Sequence, residues 1–159
     1  MPSDFTSRQQ PLRVSIDELR KTFSGKVIEH ILNPRNMGEF QAAGGIGRAS
    51  ISCGDAMQIC LKVRNDRILD ISFMTDGCGP VIACGSALTE LVKGKTISEA
   101  MAVDEDEIMA SLDGLPDSET HCATLAVSAL KQALVDYLAL KREPWKRMYR
   151  QIDPFSSNR

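Results

Sequence analysis

Three cysteines lie beside glycines or at a predicted helix start, where a thiol side chain can meet a metal ion. Cys53 lies in a loop two residues before Asp55, Cys78 lies between two glycines, and Cys122 directly follows His121. Thiolates are soft ligands. Three of them, with the Asp55 carboxylate or the His121 imidazole, match the ligand set of a tetrahedral zinc ion or of an iron–sulfur cluster.

The backbone around these cysteines suits such a site. The free amides and positive dipole end of a helix N-terminus favour the thiolate form of Cys122 and, if it lies close enough, of Cys78. Glycines at 54, 77 and 79 allow sharp bends and leave room for a bulky inorganic group whose sulfurs accept hydrogen bonds from backbone amides. The spacing therefore predicts a site that folding assembles from separate segments.

The other features of the cysteines exclude several familiar kinds of site. The chain has five cysteines, an odd number, and none of them form a C-x-x-C pair. Structural disulfides, zinc fingers and thioredoxin-type redox motifs therefore lack their usual sequence evidence. Cys60 falls in a predicted strand and Cys84 in a predicted helix, so we expect both to be small core residues.

The elements that position these residues begin with a predicted amphipathic helix over residues 15–32. Ser15 is an eligible N-cap, Glu18 completes a capping box, and Gly25 interrupts the pattern only softly. The turn sequence NPRNMG at 33–38 ends the helix and is expected to seat it stiffly. We expect His30, near that turn, to be structural or on the surface.

Alternating apolar residues predict strands over 46–52, 56–64 and 67–75, with a tight hairpin turn at Asn65 and Asp66. Helices are predicted after Gly79, with Pro80 in the first turn and an end at Lys93, and also over 98–102, 104–112 and 121–139. The fold class is therefore α+β, with a small antiparallel sheet. If these elements pack as one unit, two strand-end loops and one helix N-terminus converge at a single edge.

Composition indicates one soluble domain with flanking segments. The 159 residues carry a net charge of −2 and are 43% hydrophobic, which gives no sign of a nucleic-acid binder. The N-terminus has no signal-peptide pattern and no apolar run reaches about 18 residues, so we expect a cytoplasmic protein with no membrane segment. We divide the chain into a flexible arm (1–13), a folded domain (14–140) and a basic tail (141–159). The acidic stretch 104–119, which has seven acidic residues and no basic one, is expected to be a solvated face.

Several motifs in a fixed order resemble the IscU proteins and the N-terminal domain of NifU. They are KVIEH at 26–30, NPRNMG at 33–38, CGD at 53–55, GCG at 77–79, LTELVKGKTISEA at 88–100, and LP followed by HC at 121–122. The resemblance runs from about residue 23 to 138. It implies a scaffold on which iron–sulfur clusters are built and then passed to apoproteins, and a fold in which helices cover a three-stranded antiparallel sheet.

The resemblance also implies roles for residues and partners. Its cluster ligands fall on Cys53, Cys78 and Cys122, its aspartate on Asp55, and its alternative ligand on His121. A cysteine desulfurase would pass persulfide sulfur to Cys122 or Cys53, iron would enter, and a partner such as ferredoxin would supply electrons. The product would be a transient 2Fe-2S cluster, made labile by Asp55, on a carrier that is not an enzyme and that could be a homodimer.

Two features limit what the resemblance implies. The IscU motif LPPVK, which a dedicated chaperone recognises, reads LPDSE here at 115–119, so the resemblance leaves dependence on that chaperone open. The alternative function is a zinc-dependent sulfur acceptor like the SufU proteins, with zinc held by Cys53, Asp55, Cys78 and Cys122. SufU proteins usually lack the histidine before the third cysteine, so His121 favours the IscU and NifU side.

Overall fold

The structure is a computed structural model that describes residues 15–39, 43–52 and 54–145. Cys53, the whole predicted arm and most of the basic tail lie outside the described residues. Within them, the elements in chain order are α1 (Ile16–Thr22), α2 (Gly25–Leu32), β1 (Gly45–Ser50), β2 (Ala56–Arg64), β3 (Arg67–Thr75), α3 (Gly79–Val92), α4 (Ile97–Met101), α5 (Glu105–Ser111), a 3₁₀ helix (Asp117–Glu119) and α6 (Thr120–Arg142).

The described strands form one antiparallel sheet in the order β1-β2-β3, which confirms the predicted fold class. β2 and β3 have the predicted bounds, and Asn65 and Asp66 join them with φ values of 53° and 63°, as a tight hairpin turn requires. β1 was predicted to continue to residue 52, but it ends at Ser50. It ends there because Ile51 and Asp55 close a turn, in which the Ile51 amide donates to the Asp55 carbonyl over 3.0 Å.

The single helix predicted over residues 15–32 is wrong, because the structure has α1 and α2 there. The break falls at Phe23 and Ser24, just before Gly25. Ser24 is the N-cap of α2: its hydroxyl accepts from the Val27 amide over 3.2 Å and donates to the Leu112 carbonyl. A serine that bonds backbone groups in this way favours a helix start over a helix interior.

The core lies between the sheet and the long helices α3 and α6. Two glycines of β1 let α6 approach closely: a Cβ on Gly45 would lie 2.5 Å from the Ala133 carbonyl oxygen, and one on Gly47 would lie 2.7 Å from the Ala133 Cα. Cys60 and Cys84 are buried, as predicted. The start of α6, which carries His121 and Cys122, is thus held in place by the packing of its middle turns on β1.

The predicted helix bounds need small corrections. α4 and α5 each begin and end within one residue of the prediction, and Thr96 and Asp104 cap them. α6 runs to Arg142, three residues further than predicted, and ends ahead of Pro144. By length and mean hydropathy the segment Asp117–Arg142 could cross a membrane, but 56% of its apolar window is buried in the protein. Its apolar side chains pack on the sheet, so within the described residues it is the central core helix.

Candidate metal and sulfur site

Cys78 and Cys122 meet at the end of the sheet where β1 ends, β2 begins and β3 ends. Cys78 is the N-cap of α3, with extended backbone angles, and it is exposed. Cys122 lies in the first turn of α6 and is fully buried. The two side chains are hydrogen-bonded to each other. A thiol on the surface therefore lies directly against a thiol in the interior.

Cys78 and Cys122 differ in how readily they lose a proton. Cys122 donates its S–H to the sulfur of Cys78, and this hydrogen bond is the main reason that the pKa of Cys78 falls from 9.0 to about 6. The amide of Val81, in the first turn of α3, lowers that pKa further. The same hydrogen bond and the burial of the side chain raise the pKa of Cys122. In the metal-free chain Cys78 is thus the thiolate and Cys122 the thiol at neutral pH.

Two further metal-ligating side chains lie beside Cys122. Its Sγ is 3.5 Å from Oε2 of Glu119 and 3.7 Å from Nε2 of His121. The three ligand atoms all lie within 4.8 Å of one another, and among the described residues this is the group of histidine, cysteine and acidic side chains able to hold a metal ion. A carboxylate, an imidazole and a thiol within this space form a mixed donor set.

The loop between β1 and β2 reaches the same edge. The charge of Asp55 raises the pKa of Cys78, so its carboxylate lies close enough to act on that thiol. Asp76 fixes the neighbouring strand end, since its Oδ1 accepts from the Ala56 amide over 3.1 Å. Of the predicted site residues, the structure places His121 and Cys78 each beside Cys122, with Asp55 near Cys78. Cys53 lies outside the described residues.

A third thiol, that of Cys84, is buried close to Cys78 and Cys122. Cys84, one and a half turns along α3 from Cys78, is fully buried, and burial raises its pKa to about 12. It is electrostatically coupled to both Cys78 and Cys122. A thiol with so high a pKa stays protonated, so Cys84 belongs to the packing beneath the site.

A buried polar cluster fixes α3 against the NPRNMG turn. Ser86, on α3, lies 2.6 Å from Nδ1 of His30 and accepts from the Arg35 amide over 2.8 Å. Arg35 also pairs with Glu29 and, over 3.2 Å, with Glu90. His30 is thus structural, as predicted. The cluster ties α2 and the turn to the helix that begins at Cys78.

Glu119 was not predicted as a member of this group. In the sequence it is the glutamate that replaces the lysine of a motif, and residues 117–119 belong to a stretch expected to be acidic and solvated. In the structure these residues form the 3₁₀ helix that leads into α6, which puts Glu119 three residues before Cys122 on the same side. An acidic residue three positions before a candidate ligand, at a helix start, is the signal that could have revealed it.

Comparison with known proteins gives consistent matches. The NifU-like N terminal domain family matches residues 22–143. The iron–sulfur cluster assembly scaffold protein IscU 1 of Archaeoglobus fulgidus is 47% identical over 116 residues, which cover 72% of this chain and 76% of that protein. The scaffold protein IscU of Escherichia coli is 42% identical over 128 residues, which cover 76% of this chain and 97% of that protein.

Solved structures share the fold. A putative iron–sulfur cluster assembly scaffold protein for the SUF system, from Fervidobacterium islandicum, superposes with a TM-score of 0.57 at 22% identity. The match covers 70% of this chain and 96% of that one. At this identity the likeness concerns the fold alone, and it agrees with the sheet and helices described above.

Proposed function

This chain belongs to the family of NifU-like N-terminal domains, and we propose that it is a scaffold on which iron–sulfur clusters are assembled before transfer to other proteins. The observation that carries the proposal is the pair Cys78 and Cys122 at one edge of the sheet, one exposed and one buried, with His121 beside them. A thiolate at the surface, beside a second thiol that loses its proton once a metal ion binds, suits the stepwise capture of iron and sulfur.

In this proposal the cluster is cargo, and several segments contribute ligands to it. Cys53, Cys78 and Cys122 bind iron through sulfur, and Asp55 or His121 completes the set. Asp55 is a harder and weaker ligand for iron in a cluster than a thiolate, so it keeps the cargo exchangeable. The chain carries the cluster and catalyses no reaction of its own.

Sulfur arrives from a cysteine desulfurase as a persulfide. The thiolate of Cys122 or Cys53 attacks the outer sulfur, a new S–S bond forms, and the desulfurase thiolate leaves. Each transferred sulfur needs two electrons to become sulfide, and a ferredoxin-like donor together with the oxidation of Fe²⁺ supplies them. Because Cys122 is fully buried in the metal-free chain, acceptance there requires the segment ahead of α6 to open.

The experiment is anaerobic reconstitution of the full chain with Fe²⁺, cysteine and a cysteine desulfurase, followed by its visible spectrum and by transfer to an apo-ferredoxin. The wild type should form a labile 2Fe-2S cluster and transfer it. Cys78→Ser should lose most of the cluster, whereas Cys60→Ala, a buried cysteine in β2, should keep it. Asp55→Ala should hold its cluster longer and transfer it more slowly.

A second candidate function is a zinc-dependent sulfur acceptor, favoured by the mixed donor set of Glu119, His121 and Cys122. Oxygen, nitrogen and sulfur ligands together are a combination that zinc accepts readily. In that case the chain would bind zinc tightly, take sulfur from the desulfurase and form no cluster under reconstitution. Metal analysis and the visible spectrum of the same sample separate the two functions.

A further inference from the structure

The turn ahead of α6 places a carboxylate where the resemblance expects a lysine. Glu119 is the last residue of the 3₁₀ helix, and its Oε2 lies 3.5 Å from Sγ of Cys122. Nε2 of His121 lies 3.7 Å from the same sulfur. The carboxylate thus faces a buried thiol, while the other acidic residue of this short helix, Asp117, is exposed.

These spacings match the edges of a metal coordination tetrahedron. With metal–sulfur bonds of about 2.3 Å and metal–oxygen or metal–nitrogen bonds of about 2.0 Å, two ligand atoms on one tetrahedral ion lie about 3.5 Å apart. The two distances from Cys122 Sγ, 3.5 Å and 3.7 Å, agree with that edge, and all three atoms fall within 4.8 Å. A divalent ion can therefore be bound here with small side-chain adjustments.

Glu119, His121 and Cys122 together offer one oxygen, one nitrogen and one sulfur. Such a set is one that both Fe²⁺ and Zn²⁺ accept. Cys78, an exposed thiol that acts electrostatically on Cys122, lies outside this group of three.

We propose that Glu119 is a metal ligand, and that Glu119, His121 and Cys122 form the site at which this chain first takes up a divalent ion. The inference rests on the proposed scaffold function, in which that ion is Fe²⁺, and it adds a ligand that the sequence did not predict. The competing explanation is structural: a carboxylate at a helix start stabilises the helix dipole without touching a metal.

The test is anaerobic titration of the metal-free full chain with Co²⁺, followed through its thiolate charge-transfer and d–d absorption, with Fe²⁺ measured by competition. The variant is Glu119→Gln, which keeps the size of the side chain. The matched control is Asp117→Asn, which removes an exposed carboxylate from the same short helix. Thermal unfolding of the metal-free proteins checks that both variants fold.

Loss of a ligand should weaken Co²⁺ and Fe²⁺ binding by at least about tenfold in Glu119→Gln, and Asp117→Asn should bind as the wild type does. X-ray absorption of the zinc-loaded wild type should find oxygen and nitrogen neighbours beside sulfur, and Glu119→Gln should change the oxygen contribution. Equal affinity in the two variants, or a site of three sulfurs in the wild type, overturns the inference.

The two proposals fail separately. If Glu119→Gln binds metal normally while the wild type still builds and transfers a cluster, the scaffold function is supported and the ligand role of Glu119 is refuted. If metal binding depends on Glu119 but no cluster forms under reconstitution, the proposed ion site is supported and the scaffold function is refuted.

Discussion

The thiol of Cys122 controls the ionisation of Cys78, and removing it should raise the pKa of Cys78. In the metal-free chain the Cys122 S–H stabilises the Cys78 thiolate and accounts for most of the drop in its pKa to about 6. Cys122→Ala deletes that donor. Partial burial and the charge of Asp55 remain, and both raise the pKa of Cys78, so it should move back toward 9.0.

The size of the effect follows from the two pKa values. At pH 7 a thiol with a pKa of 6 is about 90% thiolate, and one with a pKa of 9 is about 1% thiolate. The alkylation rate changes less than this ratio, because a thiolate of lower pKa is a weaker nucleophile, with a Brønsted slope of about 0.45. The rate at pH 7 should therefore fall only about fourfold, while the midpoint of the pH profile moves clearly upward.

The assay is alkylation of Cys78 by iodoacetamide across pH 5 to 10, in chelator-treated anaerobic protein, with each modified cysteine identified by peptide mass spectrometry. Cys84→Ala is the control, because it removes a buried thiol that does not lower the pKa of Cys78. A midpoint near 6 in both the wild type and Cys122→Ala would refute the role given to Cys122. A wild-type midpoint near 9 would refute the thiolate assignment itself.

Three other perturbations test how the fold holds the site, each by urea unfolding. Gly47→Ala should lower the free energy of unfolding by about 1–3 kcal/mol, because the new Cβ would overlap the backbone of α6. Gly25→Ala is the control, since it has open space around it and should change that free energy by less than about 0.5 kcal/mol. Similar losses in the two variants would contradict this explanation. Ser86→Ala removes a partner of the buried His30 imidazole and of the partly buried Arg35 amide, and should cost about 1–3 kcal/mol. Ser128→Ala, on the exposed face of α6, should cost almost nothing. Burial lowers the pKa of His30, so the unfolded chain binds its proton more readily and stability should fall as the pH drops below about 6.5. His30→Gln should remove part of that slope between pH 5 and 7.5, and an unchanged slope would show that other groups cause it.

The sequence predicted strands β2 and β3 well, because the alternation of apolar residues and the residues of the turn are both visible in short stretches of sequence. Alternating apolar residues fix which face of β2 and β3 is buried, and Asn65 and Asp66 tolerate the positive φ values of the turn between them. The break between α1 and α2 could not be read in the same way. It depends on Ser24, whose hydroxyl bonds Leu112, a residue 88 positions away.

The candidate site also combines residues that local sequence reveals with one that depends on tertiary packing. Residue types and glycine neighbours were enough to single out Cys78 and Cys122, because thiols at loop ends and helix starts have few other uses. Glu119 was missed because its side chain meets Cys122 only when residues 117–119 wind into a 3₁₀ helix ahead of α6. Whether a short acidic segment forms such a turn depends on how the following helix packs on β1, which composition does not reveal.

Because Cys78 is exposed and Cys122 is buried, the two thiols have different roles in releasing a bound cluster. Cys122 is held by the core helix α6, whereas Cys78 lies at the solvent side, at the start of α3. The ligands proposed for the cluster come from three separate segments, the β1–β2 loop, the β3–α3 junction and the start of α6. A cluster enclosed on all sides is retained, as in an electron carrier, while one with an open side can pass to an incoming thiolate by ligand exchange. On the proposed function, exchange therefore begins at Cys78, and Cys122 is the last thiolate to release the cluster.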